Sequence, residues 1–168
     1  MKGILLMEKE KDMEKIIFEN GNYFIGKYLN DKENGKGIYY NKNNTKKYEG
    51  HLIDGKREGY GKDIDRNGDC FIGPWKNNLA HGKGKNFDKE GNIFYDGDYF
   101  NGKREGFGKY IYENGEYYIG EWKNDNRHGK GKLYYKNGKL KLEGNFVNDK
   151  LEGFGKLFMK QVLLILEK

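Results

Sequence analysis

The side chains that could carry chemistry are few, and their spacing argues against catalysis. The 168-residue chain has no serine and a single threonine, Thr45, in a Lys/Asn-rich loop. Its one cysteine, Cys70, stands beside Phe71 with no histidine at a fixed spacing to take the thiol proton, as a cysteine nucleophile requires. Of the three histidines, His51 stands alone, while His81 and His128 fill a repeated slot that elsewhere holds Asn34, Glu58, Glu105 and Glu152. A slot that accepts Asn, Glu and His serves a turn rather than a metal ion or a proton. Carboxylates are plentiful but alternate with lysines, so no pair is set apart for acid–base work. Gly-x-Gly pairs at 35/37, 59/61, 82/84, 106/108, 129/131 and 153/155 resemble phosphate-cradling loops only superficially, because such a loop occurs once, ahead of a helix. The expectation is a non-enzyme with no catalytic residue, no cofactor and no metal.

The elements behind these positions are repetitive. Gly26, Gly50, Gly73, Gly97, Gly120 and Gly144 recur every 23 or 24 residues, each nine residues before a Gly-x-Gly pair. Two places before each stands Phe24, Tyr48, Phe71, Tyr95, Tyr118 or Leu142, and two places after it Tyr28, Leu52, Trp75, Tyr99, Trp122 or Phe146. Alternation with period two puts Tyr95, Gly97 and Tyr99 on one face of a strand, and Gly106, Gly108, Tyr110 and Tyr112 on one face of the next. Glycine inside a strand implies close approach of another group, most simply a ring of the next repeat. Asn20-Gly21, Asn67-Gly68, Asn114-Gly115 and Asn137-Gly138 mark hairpin turns between repeats. The units run over about 23–47, 48–70, 71–94, 95–117, 118–141 and 142–158. They predict an all-β antiparallel meander of about twelve strands, on the order of 50–60 Å long.

A longer period underlies the shorter one. Even units read DGKREGYGK, NGKREGFGK and NDKLEGFGK, and odd units NDKENGKG, NNLAHGKGK and NDNRHGKGK, so equivalent glycines recur every 47 residues. Two hairpins are then one structural unit, or a duplicated pair. Residues 1–20 form an N-terminal cap in which 8–18 could make a helical turn or two, with Met13, Ile16 and Ile17 on one side. Residues 159–168 form an apolar C-terminal cap or a truncated continuation, as helix or as edge strand.

Fourteen tyrosines, ten phenylalanines, two tryptophans and 26 glycines at fixed stations favour order despite 35% charged residues. The net charge of +6 is a modest excess that does not favour nucleic acid, and one cysteine suits a reducing compartment. A cytoplasmic location follows, at the cytoskeleton or the cytoplasmic face of a membrane.

Tyr118-Ile119-Gly120-Glu121-Trp122 followed by His128-Gly129-Lys130-Gly131, and Phe71-Ile72-Gly73-Pro74-Trp75 followed by His81-Gly82-Lys83-Gly84, resemble MORN (membrane occupation and recognition nexus) repeats. Leu142 and Leu52 depart from the pattern, and Pro74 removes a backbone donor. The resemblance implies a twisted single-layer array of hairpins that serves as a scaffold or adaptor. It also implies two further readings, an acidic-phospholipid module and a regulatory repeat fragment of a larger kinase or methyltransferase. Two surfaces suit these roles. One is an aromatic–glycine face carrying Tyr28, Phe71, Trp75, Tyr95, Tyr99, Tyr118 and Trp122, as structural core and as the site for a helical or extended protein segment. The other is a ladder of Lys62, Lys85, Lys109, Lys132 and Lys156, a solvated face or an anionic-lipid contact. A homodimer through a sheet end is a further expectation.

Overall fold

The computed structural model describes residues 5–10, 13–158 and 163–166. Strands Leu5–Glu10 (β1) and Met13–Ile17 (β2) precede six hairpins. The first two are Tyr23–Leu29 with Lys32–Tyr40 (β3, β4) and Lys46–Ile53 with Lys56–Ile64 (β5, β6). The third is Cys70–Lys76 with Leu79–Ala80 and Gly82–Phe87 (β7, β8, β9). Ile93–Phe100 with Lys103–Ile111 (β10, β11), Tyr117–Lys123 with Asn126–Tyr134 (β12, β13) and Leu140–Val147 with Lys150–Phe158 (β14, β15) complete the set, and Leu163–Leu166 (β16) follows. Each strand pairs antiparallel with the next, so the sheet is an open meander, with only β8 off the path, paired to β7. Pro74 has no N–H to offer, and opposite it the second strand of the third hairpin is broken into β8 and β9.

The segment read as a helical turn is strand instead. Ile16 lies opposite Phe24 and is buried, so its side chain extends the apolar face of β3. A helix there would have left the edge of β3 unpaired. The C-terminal alternative resolves to strand at Leu163–Leu166, while 159–162 and 167–168 lie outside the described residues.

Both central residues of each within-repeat turn have positive φ, as at Asn101 (49°) and Gly102 (82°), which matches the right-handed twist of the flanking strands. In the Asn-Gly turns between repeats only the glycine does, as at Gly115 (81°).

The two glycines of a Gly-x-Gly pair have separate tasks. Gly106 has φ of 78° and sits where the register skips between Gly97 and Tyr99, so it is a bulge residue and not part of the ring-bearing face. Gly108 lies opposite Gly97, and the Tyr95 ring covers both; a methyl group at Gly97 would lie 2.6 Å from Tyr95 Oη and from Gly108 Cα. In the first five repeats the ring on the glycine pair therefore belongs to the same repeat, not to the next one. Close cross-strand approach has taken the space that a neighbouring ring would need.

The second bulky residue provides the link between repeats. Trp122 donates its indole N–H to Gly108 O of the preceding repeat (3.2 Å) and meets Tyr95 and Tyr118 edge-to-face at 5.5 and 5.4 Å. Trp75 repeats this with Gly61 O (3.2 Å), Tyr48 and Phe71. Tyr99 and Phe146 continue the series, giving an unbroken chain Tyr48–Trp75–Phe71–Tyr99–Tyr95–Trp122–Tyr118–Phe146. Each such contact contributes about 0.5–1.5 kcal/mol beyond area burial. In the sixth repeat Leu142 leaves the glycines uncovered, and Leu151 from the opposite strand lies against Gly144 and Gly155 instead.

Gly108→Ala is expected to lower stability by about 1–3 kcal/mol in urea unfolding, as overpacking does. Its cost should shrink in a Tyr95→Leu background, whose shorter side chain leaves the methyl group room. Equal costs in both backgrounds would separate the ring from the glycine.

Candidate partner-binding surfaces

The sheet has two unlike faces. On the ring face, six of the seven aromatic residues expected to hold a partner are buried, from Tyr95 and Tyr118 at 0% exposed to Tyr99 at 9%; Tyr28 alone is half-buried. Arginines close over them. Arg57 lies 4.8 Å from the Tyr48 and Trp75 ring centres, Arg104 lies 4.5 Å from Trp122, and Arg127 lies 5.1 Å from Phe146. Cation–π attraction holds each guanidinium there, and carboxylates fix its edge: Asp63 for Arg57 (2.9 Å), Asp125 for Arg104 (3.2 Å) and Asp149 for Arg127 (3.0 Å). Asp125 and Asp149 also accept from the backbone N–H of their arginines (both 2.9 Å), tying each turn to the repeat before it.

The slot shared by Asn34, Glu58 and Glu105 likewise holds a turn. Asp54 N donates to Asn34 (3.3 Å), Asn77 N to Glu58 (2.8 Å) and Asn124 N to Glu105 (2.9 Å). His81 and His128 do not follow: Nδ1 of each is buried without a hydrogen-bond partner. Cys70 is half-buried and not in a disulfide, and among the described residues no group of three or more His, Cys, Asp or Glu stands close enough to hold a metal ion.

The opposite face is open. Tyr60, Phe107 and Phe154, the middle residues of the even Gly-x-Gly pairs, are 63%, 55% and 68% exposed. The sequence carried their signal, since the middle residue alternates between Lys (36, 83, 130) and an aromatic (60, 107, 154) with the 47-residue period. Register sorts this face into stripes. The β6/β7 junction carries Tyr60 beside Pro74 and Ile64 beside Cys70, and β11/β12 carries Ile111 beside Tyr117, with Phe107 and Ile119 on the same face. Between them, β9/β10 carries the ion pairs Lys83–Asp98 (3.2 Å) and Lys85–Asp96 (2.9 Å). Junctions rich in apolar residues, crossed by Lys62 at β6/β7 and by Lys109 and Glu121 at β11/β12, thus alternate with ion-paired ones, and the pattern repeats every four strands, roughly 19 Å.

The lysine ladder lies within these stripes. Lys85 and Lys132 are ion-paired, to Asp96 (2.9 Å) and Glu143 (3.3 Å), and Lys109 sits 4.3 Å from the centre of the Tyr117 ring. Lys62 and Lys156 lie opposite Glu49 and Glu143. A third row, missed from sequence, follows the within-repeat turns. Here Lys32, Lys56, Lys76, Lys103 and Lys150 lie opposite Leu29, Ile53, Leu79, Phe100 and Val147.

A family model described as MORN repeat matches residues 24–46, 48–70, 71–85, 95–117, 118–139 and 143–158. No curated protein matches the chain.

Burial pushes the Tyr48 hydroxyl up to about 12, with Arg57 pulling it partly back, and raises Tyr95, Tyr99 and Tyr118 further above the ordinary value. The folded state holds these protons more tightly than the unfolded chain, whose tyrosines titrate near pH 10. Their contribution is therefore complete below about pH 10 and is lost as the pH rises towards 12 and beyond. Absorbance titration should show tyrosines ionising together with loss of the β signal. Tyr48→Phe/Tyr95→Phe/Tyr118→Phe should shift that alkaline transition upward; independent ionisation of all tyrosines near pH 10 in a folded chain would contradict this.

Proposed function

The chain belongs to the MORN repeat family, and from that premise we propose that it is a non-catalytic scaffold or adaptor holding a protein partner on its open face. The observation that carries this reading is the division of its aromatic residues. The ring face spends its rings on the only core a single layer can have, and arginines close it. The open face keeps three equivalent rings more than half exposed, at the same place in the repeat and beside ion-paired stripes. Exposed aromatic residues at regular intervals are what a partner segment needs as anchors. A helical or extended segment laid across the strands would meet one about every 19 Å.

A second reading, contact with anionic lipid, is favoured by the turn-proximal row. Lys32, Lys56, Lys76, Lys103 and Lys150 are exposed, and none forms an ion pair among the described residues. Exposed Leu29, Ile53, Leu79 and Phe100 accompany them. Near a membrane each lysine is worth about 1 kcal/mol, more than the ion-paired members of the ladder can supply.

The two faces predict opposite outcomes for mutation. Tyr60→Ser/Phe107→Ser/Phe154→Ser should leave thermal unfolding within a few degrees of the parent while abolishing capture of proteins identified by proximity labelling with the parent chain. Trp75→Ala and Trp122→Ala should each cost about 3–5 kcal/mol and disrupt folding. A folded triple-serine variant that keeps every captured protein would contradict the open-face reading. For lipid, flotation with phosphatidylserine vesicles should fail for Lys56→Glu/Lys103→Glu/Lys150→Glu and in moderate salt; flotation unaffected by both would contradict contact through this row.

A further inference from the structure

Two grooves on the open face occupy the same place in the repeat, 94 residues apart. One, of about 440 Å³, runs between Met13 and Tyr60 over Ile25. The other, of about 780 Å³, runs between Phe107 and Phe154 over Ile119. Each wall and floor residue of the second is the first plus 94, or four hairpins. Midway, between Tyr60 and Phe107 over Ile72, the same arrangement recurs, but there Lys83 pairs with Asp98 (3.2 Å) across the junction.

The pairing follows the residue opposite each lysine, although the neighbour within the hairpin (Lys27, Pro74 or Glu121) and Ile38 against Lys85 and Lys132 differ as well. Opposite Lys83 stands Asp98, whereas opposite Lys36 stands His51 and opposite Lys130 stands Asn145. Lys36 and Lys130 line the two grooves, are exposed and form no ion pair among the described residues. The carboxylates that also line the grooves are ion-paired, Glu49 with Lys46 outside the first groove (2.7 Å) and Glu143 with Lys132 inside the second (3.3 Å), while Glu121 accepts the backbone N–H of Lys130 (3.0 Å). Each groove thus offers apolar walls beside a lysine that forms no ion pair, Lys36 or Lys130, and Lys62 adds a second to the first groove.

We infer that these grooves are two equivalent sites for an acidic, apolar polypeptide segment. A bulky apolar side chain of the partner fills the space between the walls, and an adjacent carboxylate takes the place at Lys36 or Lys130 that Asp98 takes at Lys83. The sites lie eight strands apart, roughly 38 Å, so a long partner segment bearing the motif twice gains by linking two weak contacts. A second copy of this chain is a poor occupant, because it would bring the same lysine-bearing face. The inference rests on the reading of the open face as the partner surface.

The test counts sites. A short fluorescent peptide with a Glu-Phe-Glu core, and its Lys-Phe-Lys counterpart, are titrated into the full chain by calorimetry and anisotropy. Two sites are expected for the acidic peptide, with at least tenfold weaker binding of the basic one. Asn145→Asp should close one groove and leave one site, and Asn145→Asp with His51→Asp should leave none. Asp98→Asn should open the middle position and raise the number to three. These residues lie on the open face, and the thermal transition of each variant shows that it is folded. A site number unchanged by Asn145→Asp and Asp98→Asn, or equal binding of both peptides, overturns the proposal. Should the triple-serine variant lose its captured proteins while Asn145→Asp changes nothing, the grooves fail and the adaptor reading stands; if that variant also keeps its captured proteins, both fail.

Discussion

A tyrosine or phenylalanine ring lying on two glycines of its own hairpin is the contact from which the rest of this sheet follows. Tyr95 covers Gly97 and Gly108, which stand opposite each other, and no side chain on either glycine would leave room for the ring. The ring is thereby held flat enough for Trp122 and Tyr99 to meet it edge-on from either side. A single layer of strands normally lacks the depth for a core. Here depth is replaced by continuity, with each ring buried by its neighbours along the array and arginines closing the surface. The units are accordingly interdependent, as in other arrays whose repeats contact only their neighbours.

Committing one face to burial determines what the other can do. Bulky side chains on the open face have no second layer to meet, so they remain exposed or are separated by ion pairs. The two kinds of hairpin junction divide these roles, apolar at β6/β7 and β11/β12, charged at β9/β10. This gives the 47-residue period a physical meaning that duplication alone does not supply: four strands make one apolar stripe and one charged stripe. Tyr60, Phe107 and Phe154 mark the stripe that stays exposed.

Much of the fold was legible because glycine and aromatic spacing both have a direct steric meaning. The positions of strands and turns could be read from Tyr95-Asp96-Gly97-Asp98-Tyr99 and from Asn114-Gly115. Which ring meets which glycine could not, since it depends on the register of Gly97 against Gly108 and on the bulge at Gly106. The burial of the ring face was hidden for the same reason. Period-two alternation assigns Tyr95 and Trp122 to a face, but says nothing of whether Arg104 will close it. Phe107, between two glycines, lies on the other face and is 55% exposed. At the N-terminus, Met13, Ile16 and Ile17 fitted a helical spacing, and pairing with β3 outweighed it.

The chain has only two tryptophans, and both belong to the ring face, at 8% and 5% exposed. Acrylamide quenching of their fluorescence therefore reports whether that face is core. The burial of both indoles predicts that the native chain is quenched several-fold less than the same chain unfolded in urea, with the difference disappearing through the unfolding transition. Native tryptophans quenched as readily as unfolded ones would show the ring face to be open, and would contradict it.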